Sequence, residues 1–390
     1  ISLSTEQSRF RDLVVRFIDM HWEEQDAQLG YVSVGSDQSR YPKEKIASWY
    51  QKVFDQGWGL VDWPANAGGV SWDATQKYIW MSECARRCIP SPSHLPGVAL
   101  VGPLLVTLEN NNQKIDKFLR GIRNNDTSWG IGQIDLDWNQ THLRLVKTEK
   151  GFSINGREVV CCSGADCDWA LVLCQEGKDE FAVLIEVGDR LSERVSGEVG
   201  VISTTLFEIE FDNEKIIEEQ VFLIPKGPQR KEIMELLLTN GAFYQSPSFL
   251  KRSIDQLRAL ALNNKMDTFM IRRLAELDIE LKSLEAFEMR ALFGQDQKMK
   301  NPLNLAQLSL MTLDLTVRTL EAEVDILAYD SIPLEDPLKT HNEPSLGPEG
   351  SEYAIEKLLY ISAWSEGVRS RVGMKDQLAK RLEIAEYDEI

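Results

Sequence analysis

Apolar and polar positions follow three successive rhythms along the chain. Up to about residue 125 the spacing is helical. In "LSTEQSRFRDLVVRFI" the residues Phe10, Leu13, Val14 and Phe17 share one face, and Ser4 with Gln7 three positions on forms a capping-box start. "SRYPKEKIASWYQKVFDQGWGL", "TQKYIWMSECARRC" and "QKIDKFLRGI" repeat that spacing, with a Pro/Gly loop at Asp62–Gly69. From about 126 to 228 the period shortens. "SWGIGQI", "LRLVKTEKGFSING", "WALVLC", "EFAVLIEV", "TLFEIEFDN" and "QVFLIP" are short alternating or β-branched runs between Gly, Asn and Asp. Within them Asn155–Gly156 predicts a hairpin turn, with "REVVCCSG" as the strand that follows. After about 229 the helical period returns. Leu274, Leu277, Leu281, Leu284, Phe287 and Ala291 line one face, and "NPLNLAQLSLMTLDLTVRTLEAEVDILAY" forms a second long amphipathic helix. A loop rich in Pro and acid follows, and a last helix is predicted from near Ser351. The predicted class is α+β, mostly α. It comprises a helical domain over 1–125, an antiparallel β domain over 126–228 and a helical bundle over 229–390.

Composition narrows the function. The 390 residues carry 61 acidic and 43 basic side chains, a formal net charge of −18. Nucleic acid binding needs clustered Lys and Arg to displace counterions, so this balance argues against it. An anionic ligand would need a local basic pocket, or a partner that supplies one. No apolar run approaches the length of a membrane span, and no secretory leader is read at Ile1.

Six cysteines without a framework pattern predict a reduced, cytoplasmic protein. Four of them fall between Ser153 and Cys174. Cys161 and Cys162 are neighbours on a predicted strand and point to opposite faces, so they would not share one metal ion. Cys84 and Cys88 are spaced for one helix face, but no His, Cys or carboxylate cluster follows at ligand spacing. No metal site is predicted. His21, His94, His142 and His341 show no pairing with a nucleophile.

Several strings, taken in order, resemble the acyl-CoA dehydrogenase family over essentially the whole chain. "GWGLVDWPANAGGVSWDATQKYIWMSECAR" is similar to the family's Gly/Trp-Pro-x-x-x-Gly-Gly loop and the helix after it. "GPLLVTLENNNQKIDKFLRGIRNNDTSWGIGQ" is similar to its run into the first strand. "GFSINGREVVCCSGADCDWALVL" resembles its Gly-Tyr-x-Leu-Asn-Gly-x-Lys-x-x-x-Thr-Asn-Gly…Asp-Trp signature. "GPEG" and "LAKRL" match near the end. The resemblance implies a flavin site, a catalytic Glu and an acyl-CoA pocket. It places Cys162 and Ser163 where the family sets a hydroxyl residue against the flavin ring, and it retains Gln133.

The same resemblance marks what is missing. The family's flavin loop, roughly Thr/Ser-Glu-Pro-x-Ala-Gly-Ser-Asp, is replaced by "IDLDWNQTHLRL", which brings in Asp135, Asp137 and Trp138. A carboxylate roughly 5 Å from a phosphate charge costs about 3 kcal/mol at an effective dielectric of 20. The family's catalytic Glu comes from one of two places, and here Val368 and Gly241 occupy them. Glu366, in "SEGV", takes the first place only if a two-residue insertion is allowed; otherwise it is a surface Glu at a helix start. The family's Arg-x-Phe-Gly flavin contact is absent too, since Phe293–Gly294 begins three residues after Arg290.

The implied expectation is a subunit without its own base, Gln133, Cys162 and Ser163 being vestiges of a flavin site. It would support a homologous catalytic chain, two copies of each, in dehydrogenating an acyl-CoA, which the resemblance to steroid side-chain enzymes makes bulky. FAD would then be held mainly by the partner. Two alternatives stay open: an altered FAD enzyme using Glu366 as base, and a non-enzymatic acyl-CoA or protein-binding module.

Overall fold

The computed structural model describes residues 3–22, 43–108, 113–132, 143–149, 151–162, 167–188, 205–230, 246–263, 266–293 and 302–328, with a few positions in 232–236 and 354–358. The N-terminal helices are α1 (Thr5–His21), α2 (Lys43–Asp55), α3 (Ala74–Arg86), α4 (Gly102–Leu108) and α5 (Gln113–Arg123). The capping box at the start of α1 is present: the Gln7 amide donates to Ser4 Oγ at 3.2 Å, and the Ser4 amide to Gln7 Oε1 at 2.9 Å. Asp73 and Gln76 make the same reciprocal pair at the start of α3. Helices α1, α2 and α3 enclose a core of Val14, Ile18, Trp49, Val53, Trp58 and Trp80. Trp63 is pinned by its indole N–H to the Val98 carbonyl at 2.8 Å. A Cβ on Gly102 would stand 1.9 Å from the Trp63 ring, so only glycine lets α4 approach it.

Among the described residues seven strands form one sheet: β1 (Trp129–Gly132), β2 (Arg144–Thr148), β3 (Gly151–Cys162), β4 (Trp169–Glu176), β5 (Asp179–Glu186), β6 (Thr205–Ile216) and β7 (Val221–Leu223). β4 and β5 are buried on both faces, which is why "WALVLC" and "FAVLIE" read as near-continuous apolar runs. Leu171, Leu173, Ala182 and Leu184 face the helical core beside Trp63, Leu104 and Leu119. Ala170, Val172, Cys174, Val183 and Ile185 face the other way, onto Ile154, Val160, Ile209 and Phe211.

Two features depart from the sequence reading. The sheet is mixed, because β4 runs parallel to β1 and β2 while the remaining pairings are antiparallel. The Asn155–Gly156 turn is also corrected. β2 and β3 already pair Thr148 with Gly151, so the reversal falls between those two residues. Asn155 and Gly156 lie inside the continuous strand β3. There the register with β6 shifts: Ile154 pairs with Glu214 and Gly156 with Phe211, leaving Asp212 and Asn213 opposite Asn155 alone. That is a β-bulge. Gly156 has φ +128° and Asn213 φ +49°, and the Asn213 amide donates to Asn155 Oδ1 at 2.7 Å. An Asn-Gly pair supplies the positive φ of a tight turn, and a bulge uses the same tolerance within a ladder.

The C-terminal helices are α6 (Leu250–Asn263), α7 (Thr268–Glu288) and α8 (Pro302–Leu327). Leu274, Leu277, Leu281 and Leu284 of α7 are buried as the periodicity predicts, against Leu257 of α6 and Leu308 and Leu315 of α8. Among the described residues no helix is long and apolar enough to cross a membrane.

Candidate functional site

β1 and β2 occupy one slot in the sheet. β1 lies between the end of β3 and the start of β4, with Gly132 opposite Val160 and Ile131 opposite both Cys161 and Leu171. β2 resumes in the same direction, with Arg144 opposite Asn155 and Gln175. The chain therefore leaves the sheet after Gly132 and returns at Leu143, whose carbonyl accepts the Gln175 amide at 3.2 Å. Ten residues, 133–142, are inserted at this break, and they are the stretch that the sequence analysis aligns with the family's flavin loop.

The end of β1 away from the break is firmly held. Asp168 Oδ2 accepts the Ser128 amide at 2.7 Å and the Ser128 hydroxyl at 2.8 Å, which ties the start of β1 to the start of β4. Trp129 and Trp169 then stack with ring centroids 6.0 Å apart, and Phe118 packs edge-on against Trp169. Trp129 also closes on α4's approach, where a Cβ on Gly97 would come within 2.7 Å of its ring.

Glu158 lies directly beneath the break. It is buried on β3, and a Cβ on Gly132 would meet its Cγ at 3.1 Å. The Val159 amide donates to Glu158 Oε1 at 3.2 Å. Across the interior, burial and the Glu158 charge push the Cys174 thiol far above its ordinary range. A thiol held protonated in this way is neither a nucleophile nor a metal ligand at neutral pH. Cys84 is raised likewise, chiefly by burial. Among the described residues no group of three or more His, Cys, Asp and Glu side chains is placed to hold a metal ion.

Glu158 is a residue the sequence analysis passed over, although the signal was present. In the signature that "INGREVVCC" resembles, Lys stands where this chain has Glu158. The described strand beneath the break therefore carries a buried carboxylate where that signature has a cation. Of the predicted site residues, Cys162 ends β3, its backbone between Gly130 of β1 and Thr205 of β6. Gln133, Ser163, Gly241, Glu366 and Val368 lie outside the described residues, as do Asp135, Asp137 and Trp138.

A second polar cluster joins the N-terminal helices to the C-terminal bundle. Glu83, almost fully buried on α3, accepts Arg11 Nε at 2.6 Å and is bound by Arg87. Burial alone would raise the Glu83 pKa, but hydrogen bonds from Arg11 and Arg87 outweigh it and hold the carboxyl below its ordinary value. Arg86 Nη2 reaches Glu285 of α7 at 2.9 Å, and the Ser248 hydroxyl donates to the same oxygen at 2.8 Å. Tyr78 lies alongside, its pKa raised by burial and by Glu288 and Glu285.

With this geometry in view, comparison with known proteins is informative. Residues 4–125 match the family described as acyl-CoA dehydrogenase, N-terminal domain. The whole chain superposes on solved structures of acyl-CoA dehydrogenases. For the Tcur3481-Tcur3483 steroid ACAD the TM-score is 0.74 at 15% identity, covering 99% of each chain. The ChsE4-ChsE5 complex from Mycobacterium tuberculosis gives 0.68 at 13%, again covering 99% of each. PigA with FAD and proline gives 0.71 at 14%, covering 98% of this chain and 99% of that one. No curated protein sequence matches. The N-terminal third thus matches the acyl-CoA dehydrogenase N-terminal domain, and the chain shares the fold of these solved structures throughout.

Proposed function

We propose that this chain is the non-catalytic subunit of a heteromeric acyl-CoA dehydrogenase, in which a homologous partner carries the base and most of the FAD contacts. One observation carries the reading: a fold kept over its whole length has lost the family's charge pattern where flavin and base belong. Val368 and Gly241 replace the base, Asp135 and Asp137 enter the flavin loop, and Glu158 replaces a Lys beside it. The whole-chain likeness to chains from two named complexes, one described as a steroid ACAD, supports a homologous partner and a bulky, steroid-type acyl group.

Assembly is supported by the C-terminal surface. Leu262, Phe269, Ile271, Ile279 and Met311 are large apolar side chains exposed on α6, α7 and α8. At −18, copies of this chain repel one another, and a partner of complementary charge relieves that repulsion and speeds encounter. Co-expression with an intact homologue should give a mixed oligomer, two copies of each chain, with fewer flavins than polypeptides. Native mass spectrometry read beside flavin absorbance checks both. A homotetramer with flavin on every chain would overturn the reading.

The second reading, an altered flavoenzyme with Glu366 as base, rests on the resemblance of "SEGV" to the family's turn. A positioned base supplies roughly 10²- to 10⁴-fold in rate. Glu366→Gln should leave turnover of the reconstituted complex unchanged. A hundredfold loss with assembly and flavin intact would transfer the assignment to this chain.

A further inference from the structure

A cleft of about 450 Å³ opens where the end of α3 meets the first turns of α6, lined by Arg86, Lys251, Arg252, Asp255, Gln256 and Ala259. It lies away from the break between β1 and β2, and the proposed function makes no use of it. Three of its six lining side chains are cationic, in a chain with an excess of 18 acidic groups.

Two of those cations are fixed in place by ion pairs. Lys251 Nζ is 2.6 Å from Asp255 Oδ1 and 3.5 Å from Asp278, and Arg86 is held through Nη2 by Glu285 at 2.9 Å. Asp255, the one carboxylate lining the cleft, is engaged twice, by Lys251 and by Arg258 at 3.4 Å. Arg252 makes no ion pair among the described residues. Among the described residues, the cleft thus has two cations held in place by carboxylates, a third that makes no ion pair, and one lining carboxylate engaged twice.

We propose that this cleft binds the phosphate group of a small phosphomonoester, with Arg252 as the principal ligand and Arg86 and Lys251 completing it. A dianion with three terminal oxygens matches three cations arriving from two helices, and a guanidinium fork bonds two of those oxygens at once. The space exceeds that of a phosphate group. The remainder, over Ala259 and the methylenes of Gln256, suits a compact organic moiety.

The test is calorimetric titration of the full chain, in its complex if one forms, with inorganic phosphate and with phenyl phosphate at low ionic strength. Phenyl phosphate should bind more tightly, which assigns the ester; equal affinity would assign the free ion and overturn the ester. Arg252→Gln should weaken binding at least tenfold, and Arg252→Lys, which keeps the charge but not the fork, should recover only part of it. Arg252 holds no structural ion pair among the described residues, so both variants should melt with the parent, and an unchanged melting temperature establishes that they are folded. Absence of binding by both probes, or binding that Arg252→Gln leaves intact, overturns the proposal.

Discussion

Glu83 shows how one side chain can fasten two elements together. Its carboxylate is 3% exposed and shared by Arg11 on α1 and Arg87 beyond α3, with Arg86 3.8 Å away. Removing the charge leaves these guanidiniums without their acceptor, but they are partly solvated, so the cost stays well below that of a fully buried pair. Glu83→Gln is expected to destabilise the chain by about 2 kcal/mol. The sign with pH follows from the depressed pKa. The contribution is complete above the unfolded value, 4.5, and is lost as pH falls through the lower native one. Melting curves of the parent and Glu83→Gln should therefore converge below about pH 4, the ordinary Glu range. A gap that widened in acid would mean another group holds this junction. The identity of Glu83 is plain in "MSECAR", but its role is not, because Arg11 lies 72 residues away in sequence.

At the scale of the element, the bulge in β3 and β6 is where local signal and tertiary context disagree. Asn-Gly favours positive φ, and in the bulge Gly156 adopts it while Asn155 does not. Pairing decides between turn and bulge. If the chain reversed at Asn155, β3 would end there, and the rungs from Arg157–Glu210 to Cys162–Thr205 would be lost. Gly156 at φ +128° lies where side chains are strained, so Gly156→Ala should cost about 1–3 kcal/mol. Chemical denaturation of the two proteins measures it, and a neutral result would show that the bulge relaxes. The amphipathic helix α7 is the opposite case. α7 follows its predicted face because the 3.6-residue period is a local property, whereas in α1 Val14 of the predicted face is buried but Leu13 is exposed and Ile18 is buried instead.

For the whole molecule, the break between β1 and β2 has the largest consequence. It falls at Gly132, beside the buried carboxylate of Glu158. The stretch that resembles the family's flavin loop carries Asp135 and Asp137, and the described strand beside the break carries Glu158. The isolated chain should accordingly purify with little or no FAD, as read from absorbance near the flavin band. Near-stoichiometric flavin would mean the insertion builds an unfamiliar but working site.

The sequence by itself determined the order of helix, strand and helix, the cap at Ser4, the apolar face of α7 and the resemblance to a family. Each is written in spacing over a few residues, or in strings whose order survives low identity. Tertiary structure alone decided that β1 and β2 share a slot, that Asn155–Gly156 is a bulge, and that Glu158 lies under the break. It also decided that Arg86, Lys251 and Arg252 meet in one cleft. These relations join residues tens to more than a hundred positions apart. Local propensity does not fix such distances; long-range strand pairing and helix packing do.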